Sequence, residues 1–190
     1  QSNHVGQWPN GWWVTRVSET GSTNTDLVKM AGEGAQHHSV LMADFQTAGK
    51  GRLDRTWVAE PGANLLVSLL AQGGADFVVV GIGVNVNWSP PDAMSLALAA
   101  PTRTTTPADL LHSMLQEIDA LEKLSPSEMH DAYSSQLATL GQAVRVEMAE
   151  GNIIEGRAIE VREDGRLVVL DDCAISHLID TGDVVHLRAQ

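Results

Sequence analysis

DFVVVGIGVNVNW, residues 76–88, alternates two kinds of residue over most of its length. Val78, Val80, Ile82, Val84 and Val86 fall on one side, and Val79, Gly81, Gly83, Asn85 and Asn87 on the other. Successive side chains of a strand point to opposite faces, so the stretch predicts a strand with one apolar face and one small or polar face. Its neighbours fit the same sheet. SVLMADF (39–45) and ANLLVSLL (63–70) read as buried strands, and WWVTRV (12–17) alternates enough for another. SETGSTNTD then breaks the pattern with small polar residues, and a helix is expected to start there. Thr23 followed at the third position by Asp26 approximates a capping box, with Leu27, Val28, Met30 and Ala31 as the apolar face and Gly32 near the end.

Two more helices are expected downstream. Thr106 caps the first, with Pro107 in its first turn, and Ser125, Pro126 and Glu128 form a capping box for the second. Leu111, Met114, Leu115, Ile118 and Leu121, then Met129, Tyr133 and Leu137, recur at helical spacing as core stripes. From Gly141 the texture changes to five short strands, AVRVEM, IIEGRAIEV, GRLVVL, AISHLI and DVVHLR, separated by turn residues. About fifty residues in five strands are enough for a small barrel. The expected class is therefore α/β (α+β), with a main domain over 1–140 and a small barrel over 141–190.

Composition narrows the function. The chain has 190 residues, 43% of them apolar, enough for one full core and a small second one. Lys and Arg total 12 against 24 Asp and Glu, a net charge of −12, which argues against general nucleic-acid binding and makes any anion site local. The single cysteine, Cys173, suits a reducing compartment and is expected to be a buried structural thiol. The start, QSNHVGQWPNGWW, has neither a basic n-region nor a long apolar run, so no signal peptide or anchor is expected and the protein is placed in the cytoplasm. The seven histidines show no zinc-ligand spacing, so no structural metal is expected.

ADFQTAGKGRLDRTW (43–57) is the local exception to the acidity. In GKGR the glycines allow successive N–H groups to form an anion nest, with Lys50 and Arg52 at its rim and Arg55 beyond. It is not a Walker A loop, because no Ser or Thr follows the lysine. A solvated cationic turn is the bland alternative. Trp57 suits a purine base beside a phosphate nest, or a place in the core. GSTN offers hydroxyls and an amide at a helix start, although capping alone would explain Thr23. Gln46, at a strand end, is similarly ambiguous.

The order of these pieces, GSTN at a helix start, then FQTAGKGRLDRTW, GANLLVSLL, GIGVNVN and a small barrel, resembles the biotin protein ligase family over nearly the whole chain. The resemblance implies a catalytic core related to class II tRNA synthetases and a C-terminal SH3-like barrel. It implies an ATP-dependent, monofunctional ligase that uses Mg²⁺ to make biotinyl-5′-adenylate and then biotinylates a lysine of a biotin carboxyl carrier domain. Carried over by position, Ser22, Thr23, Asn24 and Gln46 would face biotin. Lys50, Gly51 and Arg52 would form the biotin and adenylate loop, with Lys50 and Arg52 catalytic. Arg55, Trp57 and Asn85 would attend the nucleotide, and the metal ligands stay unknown.

Three departures stand out. The family usually has arginine at Lys50, which loses a bidentate fork, and glycine at Asp54. Between LLVSLL and DFVVVGIG it carries a KWPND segment and a K-x-x-G-I-L segment that supplies its catalytic lysine, whereas here only AQGGA intervenes. Loss of strands there would expose core, so the sequence is expected to join residues across an omitted stretch near Leu70 and Ala71. The alternatives are a non-catalytic biotin- or carrier-binding remnant and a lipoate or octanoate ligase relative. With about twenty residues before GSTN, a DNA-binding repressor is not expected.

Overall fold

The computed structural model describes residues 8–51, 56–73, 76–148 and 150–187. The chain divides into two compact units, Gln1–Asp119 and Ala120–Gln190. This division lies upstream of the change in sequence texture at Gly141.

The first unit is built on a mixed sheet of β1 (Trp13–Thr20), β2 (Ser39–Gln46), β3 (Leu65–Gly73) and β4 (Asp76–Val84), in that spatial order. β1 and β2 are parallel, joined through helix α1 (Thr23–Gly32), while β3 and β4 pair antiparallel to their predecessors. Strand alternation sorts the apolar side chains to two faces. Val40, Met42, Leu65, Val67 and Leu69 meet Leu111 and Leu115 of α3 (Pro107–Leu121) on one face. Leu41 and Leu70 meet Leu27 and Ala31 of α1 on the other. Helix α1 occupies only part of its face, and a cavity lies on the uncovered remainder.

β4 is shorter than expected, ending at Val84 instead of continuing to Trp88. Its apolar face is also only partly covered. Ile82 and Val84 pack against the α3-side core, but Val78 is 60% and Val80 47% exposed on the edge strand. β3 runs unbroken through the point where a join was expected, Leu70 pairing with Val79 and Ala71 with Val78.

Helix starts follow local chemistry in two of the three expected cases. The Thr106 hydroxyl accepts from Asp109 N–H at 3.1 Å, and the reciprocal hydrogen bonds hold the Asp109 carboxyl below the usual carboxylate range. Ser125 and Glu128 form the complete capping box of α4 (Pro126–Gln136). The third case needs correction. The N-cap of α1 is Ser22, which makes no side-chain cap, and Thr23 uses its hydroxyl elsewhere. Helix α2 (Leu96–Ala99), capped by Ser95, is too short to leave a periodic signal. The α3 stripe is core at Leu111 and Leu115 but reaches the surface at Leu121. The α4 stripe is not core at all, since no residue of that helix is buried and Tyr133 is exposed.

The second unit carries β5 (Ala143–Glu147), β6 (Ile153–Val161), β7 (Leu167–Leu170), β8 (Ser176–Ile179) and β9 (Asp183–His186). They form an antiparallel sheet in the order β8-β7-β6-β5-β9, around Val144, Val146, Ala158, Val169 and Ile179. These are the five strands expected of an SH3-like barrel. Within this unit, α4 is tied to β6 by His130 Nε2, which donates to the Val161 carbonyl at 2.8 Å. Cys173 is exposed, contrary to expectation, because it sits in the turn between β7 and β8, where Asp171 Oδ1 accepts its N–H. No helix among the described residues is long and apolar enough to cross a membrane.

Candidate functional site

A cavity of about 420 Å³ opens where the start of α1, the end of β2 and the loop after it face strands β3 and β4. Its floor is made by the α1-side face of the sheet, where Leu66 pairs with Gly83 and Ser68 with Gly81. The glycines decide its depth. A Cβ at Gly83 would stand 2.8 Å from Cε2 and 2.9 Å from Cζ2 of Trp57, closer than a carbon can approach, and one at Gly81 would stand 3.2 Å from Asn24 Nδ2. The small face of GIGVNVN is therefore small because side chains from across the cavity rest on it.

The polar wall is a connected chain of hydrogen bonds. Gln46 Oε1 accepts from Thr23 N–H at 2.7 Å and from the Thr23 hydroxyl at 3.1 Å. Since that hydroxyl has one proton, the Ser68 hydroxyl, 2.9 Å away, must be the donor to Thr23 Oγ1. Gln46 thus has its carbonyl end committed, which leaves its amide NH₂ as the donor end. Thr20, the last residue of β1, is held in turn by its hydroxyl bond to Asp26 of α1. Ser22, Thr23 and Ser68 are buried.

Replacing Thr23 with Val removes the middle of this chain. The fully buried Ser68 hydroxyl is then left without its acceptor, so the protein is expected to lose about 1–3 kcal/mol of stability. The affinity of the cavity for its ligand is expected to fall about tenfold as Gln46 loosens, with Thr23→Ser restoring both. Urea unfolding and calorimetric titration measure the two effects, and an unchanged urea midpoint would remove the chain from the account.

The charged wall comes from the loop after β2. Its base is stapled twice, by Trp57 N–H donating to the Gly49 carbonyl at 2.9 Å and by a bridge between Lys50 and Thr56. Gly49 is required at this staple, because a Cβ there would lie 2.8 Å from the Trp57 carbonyl oxygen. Lys50 and Gly51 line the cavity beside Trp57, and Lys50 is the charged side chain among the described lining residues. In a chain of net charge −12, a lining with a cation and no carboxylate among its described residues is a local place for an anion.

Seven of the expected site residues are thus brought together, namely Ser22, Thr23, Asn24, Gln46, Lys50, Gly51 and Trp57. Arg52 and Arg55 lie outside the described residues. Asn85, the residue expected near the nucleotide, is held by its neighbours. It does not line this cavity, and its amide is engaged at both ends, accepting from Asn64 Nδ2 at 3.2 Å and donating to the Met94 carbonyl at 3.3 Å. Sequence reasoning missed Ser68 and Asn64. Each is a polar residue inside the otherwise apolar ANLLVSLL, and that contrast was the available signal.

Comparisons with known proteins bear on the whole chain. A model of the biotin protein ligase C-terminal domain matches residues 139–187. The biotin--[acetyl-CoA-carboxylase] ligase of Mycobacterium tuberculosis (strain ATCC 25618 / H37Rv) is 31% identical over 244 aligned positions, covering 94% of this chain and 91% of that protein. The alignment is longer than this chain's 190 residues, so the relative has internal residues without a counterpart here. The fold is similar to that of the Aquifex aeolicus biotin protein ligase solved with biotin and ATP, with a TM-score of 0.74 at 20% identity over 93% of this chain and 99% of the other. It is also similar to the Leishmania major enzyme solved with biotinyl-5-AMP, with a TM-score of 0.55 at 15% identity over 93% and 99%.

Proposed function

The chain belongs to the biotin protein ligase family, and on that premise we propose that it activates biotin with ATP and passes the biotinyl group to a biotin carboxyl carrier domain. In the first step a biotin carboxylate oxygen attacks the α-phosphorus of ATP. The bond from that phosphorus to the bridging oxygen breaks, giving biotinyl-5′-adenylate and pyrophosphate. In the second step a lysine amine of the carrier attacks the acyl carbon, an amide forms and AMP leaves.

The observation that carries this proposal is the two-sided cavity. Its polar end, with Ser22, Asn24, Gln46 and Ser68, supplies neutral donors and acceptors for the cyclic urea of biotin, and its other end supplies Lys50 and the backbone beside Gly51. Attack of a carboxylate on a phosphate brings two anions together, and a fixed cation with preorganised N–H groups lowers that barrier. The expected Mg²⁺ meets no carboxylate among the described lining residues. Magnesium is usually held by one or two carboxylates together with phosphate oxygens, so the described cavity does not fit a protein-held Mg²⁺. The carrier's target lysine is the expected acceptor, and its identity as a carboxylase domain rests on the family.

The absence of KWPND and K-x-x-G-I-L from the 190 residues favours one rival, a module that binds biotin without activating it. Exchange of labelled pyrophosphate into ATP separates the two. Biotin-dependent exchange is the expected result, with none supported by lipoate or octanoate. Tight biotin binding without exchange would leave the binding module, and exchange with lipoate in place of biotin would move the chain's substrate to the other branch of the superfamily.

A further inference from the structure

A second cavity, of about 380 Å³, lies among the turn after β4, helix α2 and the first turns of α3. It shares no lining residue with the first. Val86 and Leu110 belong to the α3-side core, so it opens on the side of the sheet away from α1. Its floor is apolar, made by Val86, Leu96, Ala97, Ala100 and Leu110. Backbone bonds from Leu96 to Asn85 and from Ala97 to Val86 fix α2 as one wall. The rim is polar and largely uncommitted. Among the described residues, the side chains of Asn87, Arg103 and Thr105 have no hydrogen-bond or ion-pair partner. Asp109 is the rim's carboxylate. Its Oδ2 accepts from the Thr106 hydroxyl at 2.7 Å and the Thr106 N–H at 3.1 Å, bonds that favour its ionised form, and it does not pair with Arg103.

We infer that this cavity is a second ligand site, for a small apolar molecule that carries one negative charge, such as an aryl or alkyl carboxylate. A chain with 24 acidic and 12 basic residues offers partners for its cations in excess, yet Arg103 stands without one beside an apolar floor. A guanidinium grips a carboxylate through two parallel bonds, and the Asn87 amide and Thr105 hydroxyl can add neutral donors. A floor of this size takes a ring or a short alkyl chain. Asp109 sets the limit on charge, because a second negative group on the ligand would share the rim with its carboxylate. Phosphate esters and dicarboxylates are therefore disfavoured here, which separates this site from the one lined by Lys50.

Phenylbutyrate, phenylbutyramide and benzylmalonate make a suitable set of probes, since they share an aryl-alkyl body and carry one, no and two negative charges. Titrated into the whole chain and followed by amide chemical shifts, phenylbutyrate is expected to bind with a dissociation constant of about 1 mM or lower. The shifts are expected to concentrate at 86–87 and 96–113, with the amide and the dianion about tenfold weaker or more. Arg103 is exposed, so Arg103→Gln is expected to keep the wild-type melting temperature while weakening phenylbutyrate about tenfold. Ala97→Leu fills the floor and is expected to abolish binding, and both variants should keep the wild-type affinity for biotin. Equal affinity for the three probes would overturn the inference, as would wild-type phenylbutyrate affinity in either variant. So would shifts gathered around Gly81 and Gly83, or displacement of the probe by biotin at about ten times its own dissociation constant, since either result places the probe in the first cavity. Absence of any shift at about 10 mM phenylbutyrate would overturn it too.

Discussion

Gly83→Val is expected to reduce biotin-dependent pyrophosphate exchange by about 100-fold or more while leaving the fold intact. The side chain has nowhere to go on the cavity side, since its first carbon alone would lie 2.8 Å from Trp57 Cε2. Trp57 cannot simply retreat, because its backbone is bonded to Gly49 and Thr56 beside it is bridged to Lys50. The loop from Lys50 to Trp57 must shift, and displacement of about 1 Å at a positioned group costs on the order of 10²-fold in rate. Valine suits a β-strand better than glycine does, which offsets part of an overpacking cost of about 1–3 kcal/mol, so the fold is expected to hold at somewhat lower stability. Gly81→Ala provides the graded comparison. Its Cβ would meet only the end of the Asn24 side chain at 3.2 Å, which can rotate away, and the loss of exchange is expected to be several times smaller. Exchange by Gly83→Val within threefold of wild type would mean that the Trp57–Gly83 contact has no part in catalysis.

What the sequence reveals and what it hides divide by range. Strands β1 and β4 follow from alternation, β2 and β3 from short apolar runs, the five barrel strands from short runs between turn residues, and the caps of α3 and α4 from residues three apart. The start of α1 fails for the opposite reason. Thr23 has the local pattern of a cap, but Gln46 and Ser68, 23 and 45 residues away, take its hydroxyl. Ser68 illustrates the same limit, because its place beside α1 depends on which face of β3 turns toward that helix. The cavity was legible where single residue types announce chemistry, at GSTN and at GK, and illegible where the chemistry is the absence of a side chain, at Gly81 and Gly83. Cys173 and the α4 stripe were misjudged because burial belongs to the fold, and apolar character alone does not deliver it.

Asn64→Leu is expected to destabilise the first unit by about 2–5 kcal/mol, because two backbone N–H groups lose their shared acceptor and each costs roughly 1–3 kcal/mol when left unpaired. Asn64 is 1% exposed, and its Oδ1 accepts from Val86 N–H at 3.1 Å and from Trp88 N–H at 3.3 Å. Its Nδ2 reaches Asn85, whose own amide holds the Met94 carbonyl. Backbone bonds from Leu96 to Asn85 and from Ala97 to Val86 then seat α2 on this turn. Asn64 is thus the centre that converts the end of β4 into an ordered loop, and leucine matches its size without its acceptor. Asn85→Ala removes only the outer link, so its cost is expected near 1 kcal/mol. The pair also separates two roles for Asn85. If it clamps the loop, Asn85→Ala lowers the urea midpoint and leaves ATP-induced stabilisation intact. If it serves the nucleotide, the midpoint holds and the ATP response shrinks, and that result would give Asn85 the role expected of it from the sequence.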